Sequence, residues 1–248
     1  MINNEIIFEV ENLEFSYPDS GNILDKLNFA VHPGEALSIL GANGCGKSTL
    51  LKIFSGLLSP TAGSFKAFGK SISSQMLQED DFAMSYHQQI GFIFQDSDVQ
   101  LFCNNVTEEL AFGLLQLDYS TTEIKQRITE IAKLVNIEHL LDKSPYKLSG
   151  GEKKKVAIAA VLLLNPSVLI LDEPTNALDP KTQRWLVGLL QQLHQAGKTL
   201  IITTHNLNLV SELSTRGILF NEQHQIVADA PIKQLLQQQD LLKEVNLI

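Results

Sequence analysis

Short apolar runs alternate along this chain with longer stretches in which apolar residues recur every three or four positions. The runs predict buried strands and the helical spacing predicts helices with one buried face. Residues 36–40, 90–94, 168–171, 199–203 and 217–220 read as buried strands. The first four each deliver a polar or Gly-rich segment at the C-terminal end, where open α/β sheets bind ligands. Strands alternating with amphipathic helices form the pattern of a parallel α/β sheet.

Three regions depart from that alternation. Residues 8–17, 23–31 and 63–69 read as antiparallel strands, predicting a small N-terminal β-subdomain that leans on the parallel core. Residues 96–150 are mostly helical. Within them Ile124, Ile128, Ile131 and Val135 share one helix face, and Ser120 with Glu123 makes a capping box before it. This predicts an inserted helical subdomain. From Glu222 onward the chain reads as a short hairpin and then a Gln-rich helix near 234–239, facing the surface or a partner. No internal repeat and no coiled-coil insertion is visible.

Composition narrows the class. The 248 residues, 44% of them hydrophobic, suffice for one large domain with a buried core. A net charge of −9 argues against a general nucleic-acid binder, since those are basic. Two cysteines, Cys45 and Cys103, are too few for a disulfide framework or a zinc site and fit a reducing compartment. Met1 to Glu9 lacks the basic stretch and long apolar run of a secretory signal. The longest apolar run, 156–164, falls well short of the roughly 18 residues of a membrane span. The expectation is a chain soluble by itself and held at a membrane only through another subunit.

The chemistry is carried by three segments. Gly41-Ala-Asn43-Gly44-Cys45-Gly46-Lys47-Ser48-Thr49 follows a predicted strand and opens a helix. Its glycines let backbone N–H groups wrap a phosphate, aided by the positive end of the helix. Lys47 is placed to reach β- and γ-phosphates and Ser48 to ligate Mg²⁺. The fold class expected is therefore α/β: a P-loop core with a mixed, largely parallel sheet, the antiparallel β-subdomain and the helical insertion. The strand at 168–171 ends in Asp172 and Glu173, adjacent acids that a buried strand has no structural need for. Asp172 suits a Mg²⁺-facing role, and Glu173 suits a general base polarising an attacking water. Leu148-Ser149-Gly150-Gly151-Glu152 precedes a further helix and presents a hydroxyl and bare N–H groups, a second anion site without a lysine. It lies across the helical insertion, too far along the chain to be expected at the same phosphate.

From Tyr17 to His205 these segments, in identity, order and approximate spacing, resemble the ATP-binding cassette (ABC) ATPases, the motor subunits of ABC transporters. The resemblance implies a single ABC ATPase domain over 1–248, with ATP and Mg²⁺ as its ligands. It implies that Tyr17 stacks on adenine, although a surface strand tyrosine reads the same way. Gln95 is implied as the glutamine that contacts Mg²⁺ and water and senses a membrane subunit. Asp179 is implied in the loop that communicates across a dimer, and it also reads as an N-cap before Pro180. His205 is implied at the γ-phosphate, and Ser149 with Gly150 and Gly151 at the γ-phosphate of ATP held by a partner. The partners implied are a second ABC ATPase subunit, identical or paralogous, and integral membrane subunits, with the chain peripheral on the cytoplasmic face. No nucleic-acid partner is expected.

Two further stretches, 95–102 with 106–113 and the run after Glu152, are similar to the cobalt/nickel-type and energy-coupling-factor branch. That resemblance implies import of a metal ion or vitamin. Lys153, Lys154 and Lys155 also read as a plain solvated helix face. Cys45 stands where the family more often has serine, and its place at a helix N-terminus predicts a lowered pKa and a reactive thiol. The competing functions are an exporter ATPase, a soluble ABC protein of DNA repair or translation, and a P-loop kinase. The soluble ABC proteins tend to carry tandem cassettes, coiled coils or basic arms, and a kinase needs neither Leu148 to Glu152 nor His205.

Overall fold

The N-terminal strands and the alternating core both form where the apolar pattern places them. The computed structural model describes residues 5–18, 21–117 and 119–248. Residues 1–4, part of the stretch read for a secretory signal, lie outside the described residues. The elements run β1 (Phe8–Ser16), β2 (Asn22–Val31), β3 (Ala36–Leu40), α1 (Lys47–Phe54), β4 (Ala62–Ala67), β5 (Lys70–Ser71), α2 (Asp80–Gln89), β6 (Ile90–Ile93), α3 (Val106–Leu115) and α4 (Thr121–Val135). The second half comprises α5 (Gly150–Leu162), β7 (Val168–Asp172), α6 (Pro180–Gln195), β8 (Thr199–Thr203), α7 (Leu207–Leu213), β9 (Arg216–Phe220), β10 (Ile226–Pro231), α8 (Ile232–Leu235) and α9 (Gln239–Glu244).

Two sheets result. The first is antiparallel, in the order β2-β1-β4-β5, with Phe8 opposite both Val31 and Ala67. The second has the order β10-β9-β3-β8-β7-β6. Its strands β9, β3, β8, β7 and β6 run parallel, and β10 closes the edge antiparallel to β9. Side chains of the central strands alternate between two apolar layers, as a sheet covered on both faces requires. Leu37, Ile39, Val168, Ile170, Ile201 and Ile218 join α1 and the antiparallel sheet. Leu169, Leu171, Leu200 and Ile202 face the other way, onto the layer that contains α3, α4, α5 and α6.

The helical region forms as its periodicity predicts. Ile124, Ile128, Ile131 and Val135 of α4 are all buried, and Ser120 and Glu123 close the capping box. The tail differs from expectation. The Gln-rich stretch is not one surface helix but two short ones, α8 and α9, separated at 236–238. Ile232, Leu235, Leu242 and Val245 are buried against Leu40, Val210 and Leu219, so an apolar face holds the tail on the sheet. Among the described residues no helix is long and apolar enough to cross a membrane.

Candidate functional site

The C-terminal ends of β3, β6, β7 and β8 point to one side of the sheet, and the residues that follow them converge on a cleft of about 260 Å³. Asn43, Gly44, Gly46, Lys47, Ser48 and Thr49 line it from the loop after β3 and the start of α1. Gln95 enters from beyond β6, Asp172 and Glu173 from the end of β7, and His205 from beyond β8. Parallel strands place these segments side by side although more than a hundred positions separate them in the chain.

The loop depends on glycine where the backbone is crowded. Gly46 has φ +107°, and a Cβ there would meet the Ile23 carbonyl oxygen at 2.4 Å. A Cβ on Gly41 would lie 2.8 Å from Cys45 Sγ and from the Phe220 carbonyl oxygen. Gly46 is also the N-cap of α1, which has no side-chain cap and no acidic residue in its first turn. The helix therefore presents its N-terminal donors without a competing carboxylate. The Lys47 ammonium donates to the Gly41 and Ala42 carbonyl oxygens at 2.7 and 2.8 Å. Tyr17 is not among the residues that line the cleft; its hydroxyl lies 3.4 Å from Oγ1 of Thr49, which does, and its ring stands edge-on to Phe15.

The two acids differ in their surroundings. Asp172 Oδ1 accepts from the Thr203 hydroxyl at 2.5 Å, a bond across paired strands β7 and β8. Glu173 has φ +43°, a strained value for a residue with a side chain, costing of order 1–3 kcal/mol. Its N–H donates to the Thr203 carbonyl oxygen at 3.0 Å, which holds the turn in place. Its carboxylate Oε1 lies 3.0 Å from Nδ1 of the exposed His205.

The Leu148 to Glu152 run is on a different surface. Ser149, Gly151 and Asp179 line a separate cavity, and Gly150 faces a third, which Gln95 also borders. Ser149 is the N-cap of α5 in a capping box. Its hydroxyl, expected to be free for an anion, donates to Glu152 Oε2 at 2.7 Å, and its N–H does so at 2.8 Å. These bonds hold the Glu152 carboxyl below its ordinary pKa. Asp179 caps α6 ahead of Pro180, accepting from the N–H groups of Lys181 and Thr182, and the Thr182 bonds pull its pKa down. A Cβ on Gly151 would meet Thr182 Oγ1 at 2.8 Å, so the starts of α5 and α6 are packed together.

Two expectations are corrected here. Cys45 is 2% exposed, and burial pushes its thiol pKa up against the opposing pull of Lys47. Desolvation outweighs the helix terminus, so this is not a low-pKa thiol. The three lysines after Glu152 are not a solvated face either. Lys153 pairs with Asp98 at 2.5 Å, and Lys155 lies 4.8 Å from the centre of the Trp185 ring. Lys154 is 2% exposed, donating to the Phe94 and Gln95 carbonyl oxygens, and burial lowers its pKa to about 8. The sequence reading also passed over Ile23 and Asn176, which line the cleft, and Thr203, which holds Asp172. Asn176 follows closely on Asp172 and Glu173, which is a usable signal. Ile23 comes from the antiparallel sheet and carries none.

A Gly-rich loop that opens a helix beside paired acids on a parallel strand defines a P-loop nucleotide-binding protein. A family model described as ABC transporter matches residues 24–176, and the chain belongs to that family as an ATP-binding subunit. It is 47% identical over 245 residues to a putative ABC transporter ATP-binding protein of Methanosarcina acetivorans, covering 98% of this chain and 89% of that one. It is 43% identical over 232 residues to the nickel import ATP-binding protein LarO of Lactiplantibacillus plantarum, covering 94% and 96%. The solved structure of cbiO1 from Clostridium perfringens, part of the ABC transporter complex cbiONQ, matches with a TM-score of 0.84 at 36% identity, over 98% of this chain and 96% of that one. The dimeric post-hydrolysis state of the ATP-binding cassette MJ0796, bound to ADP and Pi, matches with a TM-score of 0.81 at 29% identity, over 91% and 98%.

Proposed function

We propose that the chain is the ATP-hydrolysing motor of a metal-ion importer, one ATPase domain over 1–248 with a helical subdomain at 96–150 and a C-terminal extension from 221. The observation that carries the reading is the division of the motifs between two surfaces. Lys47, Ser48, Gln95, Asp172, Glu173 and His205 share one cleft, whereas Ser149, Gly151 and Asp179 lie on another. A chain that holds ATP in the first cleft leaves the second surface for the ATP of a second cassette, and the dimeric form of MJ0796 supports this arrangement.

The loop fits a triphosphate: its glycines carry no side chain into the cleft, and the start of α1 presents no acid. Phosphate oxygens then replace the Gly41 and Ala42 carbonyls as partners of Lys47. Among the described residues no group of three or more His, Cys, Asp or Glu forms a metal cage. The donors at hand, Ser48, Gln95 and Asp172, are hard oxygen ligands that suit Mg²⁺ completed by phosphates. Bound Mg²⁺ would supply charge neutralisation at the phosphates. Glu173 orients the attacking water and takes its proton as the bond from the γ-phosphorus to the ADP oxygen breaks. His205 braces the Glu173 carboxylate and faces the γ-phosphate, Tyr17 stacks on adenine, and Thr203 keeps Asp172 in place.

Import of nickel is supported by the name of LarO, cobalt by the resemblance of 95–102 and 106–113 to the cobalt/nickel-type branch, and a vitamin importer of the energy-coupling-factor type is the related alternative. The chain then sits peripherally on the cytoplasmic face through integral membrane subunits. Affinity purification of the tagged chain from solubilised membranes tests this. Co-purified membrane subunits whose reconstituted vesicles take up ⁶³Ni²⁺ or ⁵⁷Co²⁺ with ATP are the expected result. Purification without any membrane subunit, or ATP-driven release of solute in place of uptake, sinks it in favour of a soluble ABC ATPase or an exporter.

A further inference from the structure

The loop after β6 is fastened to α5 by three successive contacts. The Lys154 ammonium donates to the carbonyl oxygens of Phe94 at 2.8 Å and Gln95 at 2.9 Å. Lys153 pairs with Asp98, and the Gln100 carboxamide donates to the Ala157 carbonyl oxygen at 3.2 Å. Beyond the loop, the buried Glu109 of α3 accepts from the N–H groups of Phe102 and Cys103 at 2.9 and 2.8 Å. Residues 94–103 are thus tied to helices, and α5 is the helix that begins at Ser149.

Lys154 is the unusual member of this set. Its helix neighbours Val156, Ala157, Ile158 and Ala159 are fully buried and apolar. A filler at position 154 would be apolar too, because burying an ammonium is costly unless neighbours compensate it. Here two carbonyl oxygens do so, and the carboxylates of Asp96 and Asp172 add favourable charge. A charged group in that place supplies what a filler cannot, a directional hold on the backbone of Gln95.

We propose that Lys154 is a positioning residue that makes the Gln95 loop and the Ser149 end of α5 move as one body. The proposal rests on the reading that Gln95 serves the hydrolytic cleft. A second cassette that engages Ser149 then displaces the Gln95 carboxamide in the cleft of the same chain. Of the contacts that fasten the loop to α5, the Lys154 ammonium is the one that holds the backbone of Gln95 itself, and through it contact on one surface is reported to chemistry on the other.

A double-mutant cycle on the full chain tests this, with kcat and KM for Mg-ATP, the dissociation constant for ATP and the melting temperature measured for K154M, Q95A and K154M/Q95A. Misplacement of a positioned group lowers turnover more than binding. K154M is expected to lower kcat about tenfold or more and to change ATP affinity less than about threefold. The double variant is expected to turn over no more slowly than Q95A alone, because Lys154 acts through Gln95. Losses that multiply in the double variant, or wild-type kcat in K154M, overturn the proposal and leave the Gln95 reading standing. Wild-type kcat in Q95A alone overturns that reading and the proposal with it. If K154M does not fold, K154Q carries the same cycle with the same deciding comparison.

Discussion

The N-termini of α1 and α5 are both built from glycine and serine, yet they are finished in opposite ways. α1 begins at Gly46 in a left-handed conformation with no side-chain cap and no acid in its first turn. α5 begins at Ser149, closed by a capping box whose Glu152 places a carboxylate on the helix end. The first leaves its donors to a ligand and uses glycines at positive φ to shape the loop around it. The second ties up two of its own N–H groups, those of Ser149 and Glu152, and stands exposed beside the start of α6. Under the function proposed above, the open terminus belongs to the cleft of this chain and the self-capped one to a site shared with a second cassette.

The largest expected effects separate those two roles. Glu173→Gln should lower kcat by about 10²- to 10⁴-fold while keeping ATP binding and accumulating an ATP-bound dimer. Ser149→Arg should lose turnover as completely, but by a different route: ATP binding by the monomer is spared and the dimer does not form. Sedimentation with ATP distinguishes the two, and a hydrolysing dimer of Ser149→Arg breaks the comparison. Next come the helix ends themselves. Gly46→Ala forces a Cβ against the Ile23 carbonyl at a φ that disfavours side chains, and should destabilise the chain by of order 1–3 kcal/mol or more and cut ATP affinity. Ser149→Ala should cost about 1 kcal/mol and leave ATP affinity unchanged. Urea denaturation beside equilibrium ATP binding reads both, and a reversed order would show that the cap of α5 matters more than the glycine that opens α1. The smallest effect concerns Cys45. Buried and with its pKa raised, it should react with iodoacetamide at pH 7 more slowly than a free thiol does, measured by mass spectrometry; faster labelling would restore the activated thiol.

Much of this was legible in the sequence, and unevenly so. The central strands and α4 stood out because a fully buried strand and a one-sided helix leave clear apolar patterns. α2 buries only Tyr86 and left no stripe to read. The Gln-rich tail looked polar because its buried residues, Ile232, Leu235, Leu242 and Val245, are spread over two short helices. Within the cleft, Lys47, Ser48, Asp172 and Glu173 were readable because adjacency in the chain is itself the chemical signal. Thr203 and Lys154 were not, since their partners lie across a strand pair or in a distant loop.

By itself the sequence determined which groups exist and which backbone shapes are possible: the glycines that permit left-handed turns, the acids at a strand end, and the helix starts. These are local properties, set by φ/ψ sterics and by the spacing of apolar residues. Only the tertiary structure decided which groups share a cleft, which helix end is closed by its own side chains, and whether a given side chain meets water. Cys45 and Lys154 depend on that last decision. The charge state and reach of a thiol or an ammonium follow from desolvation and from partners at long sequence separation, and packing, not local order, supplies both.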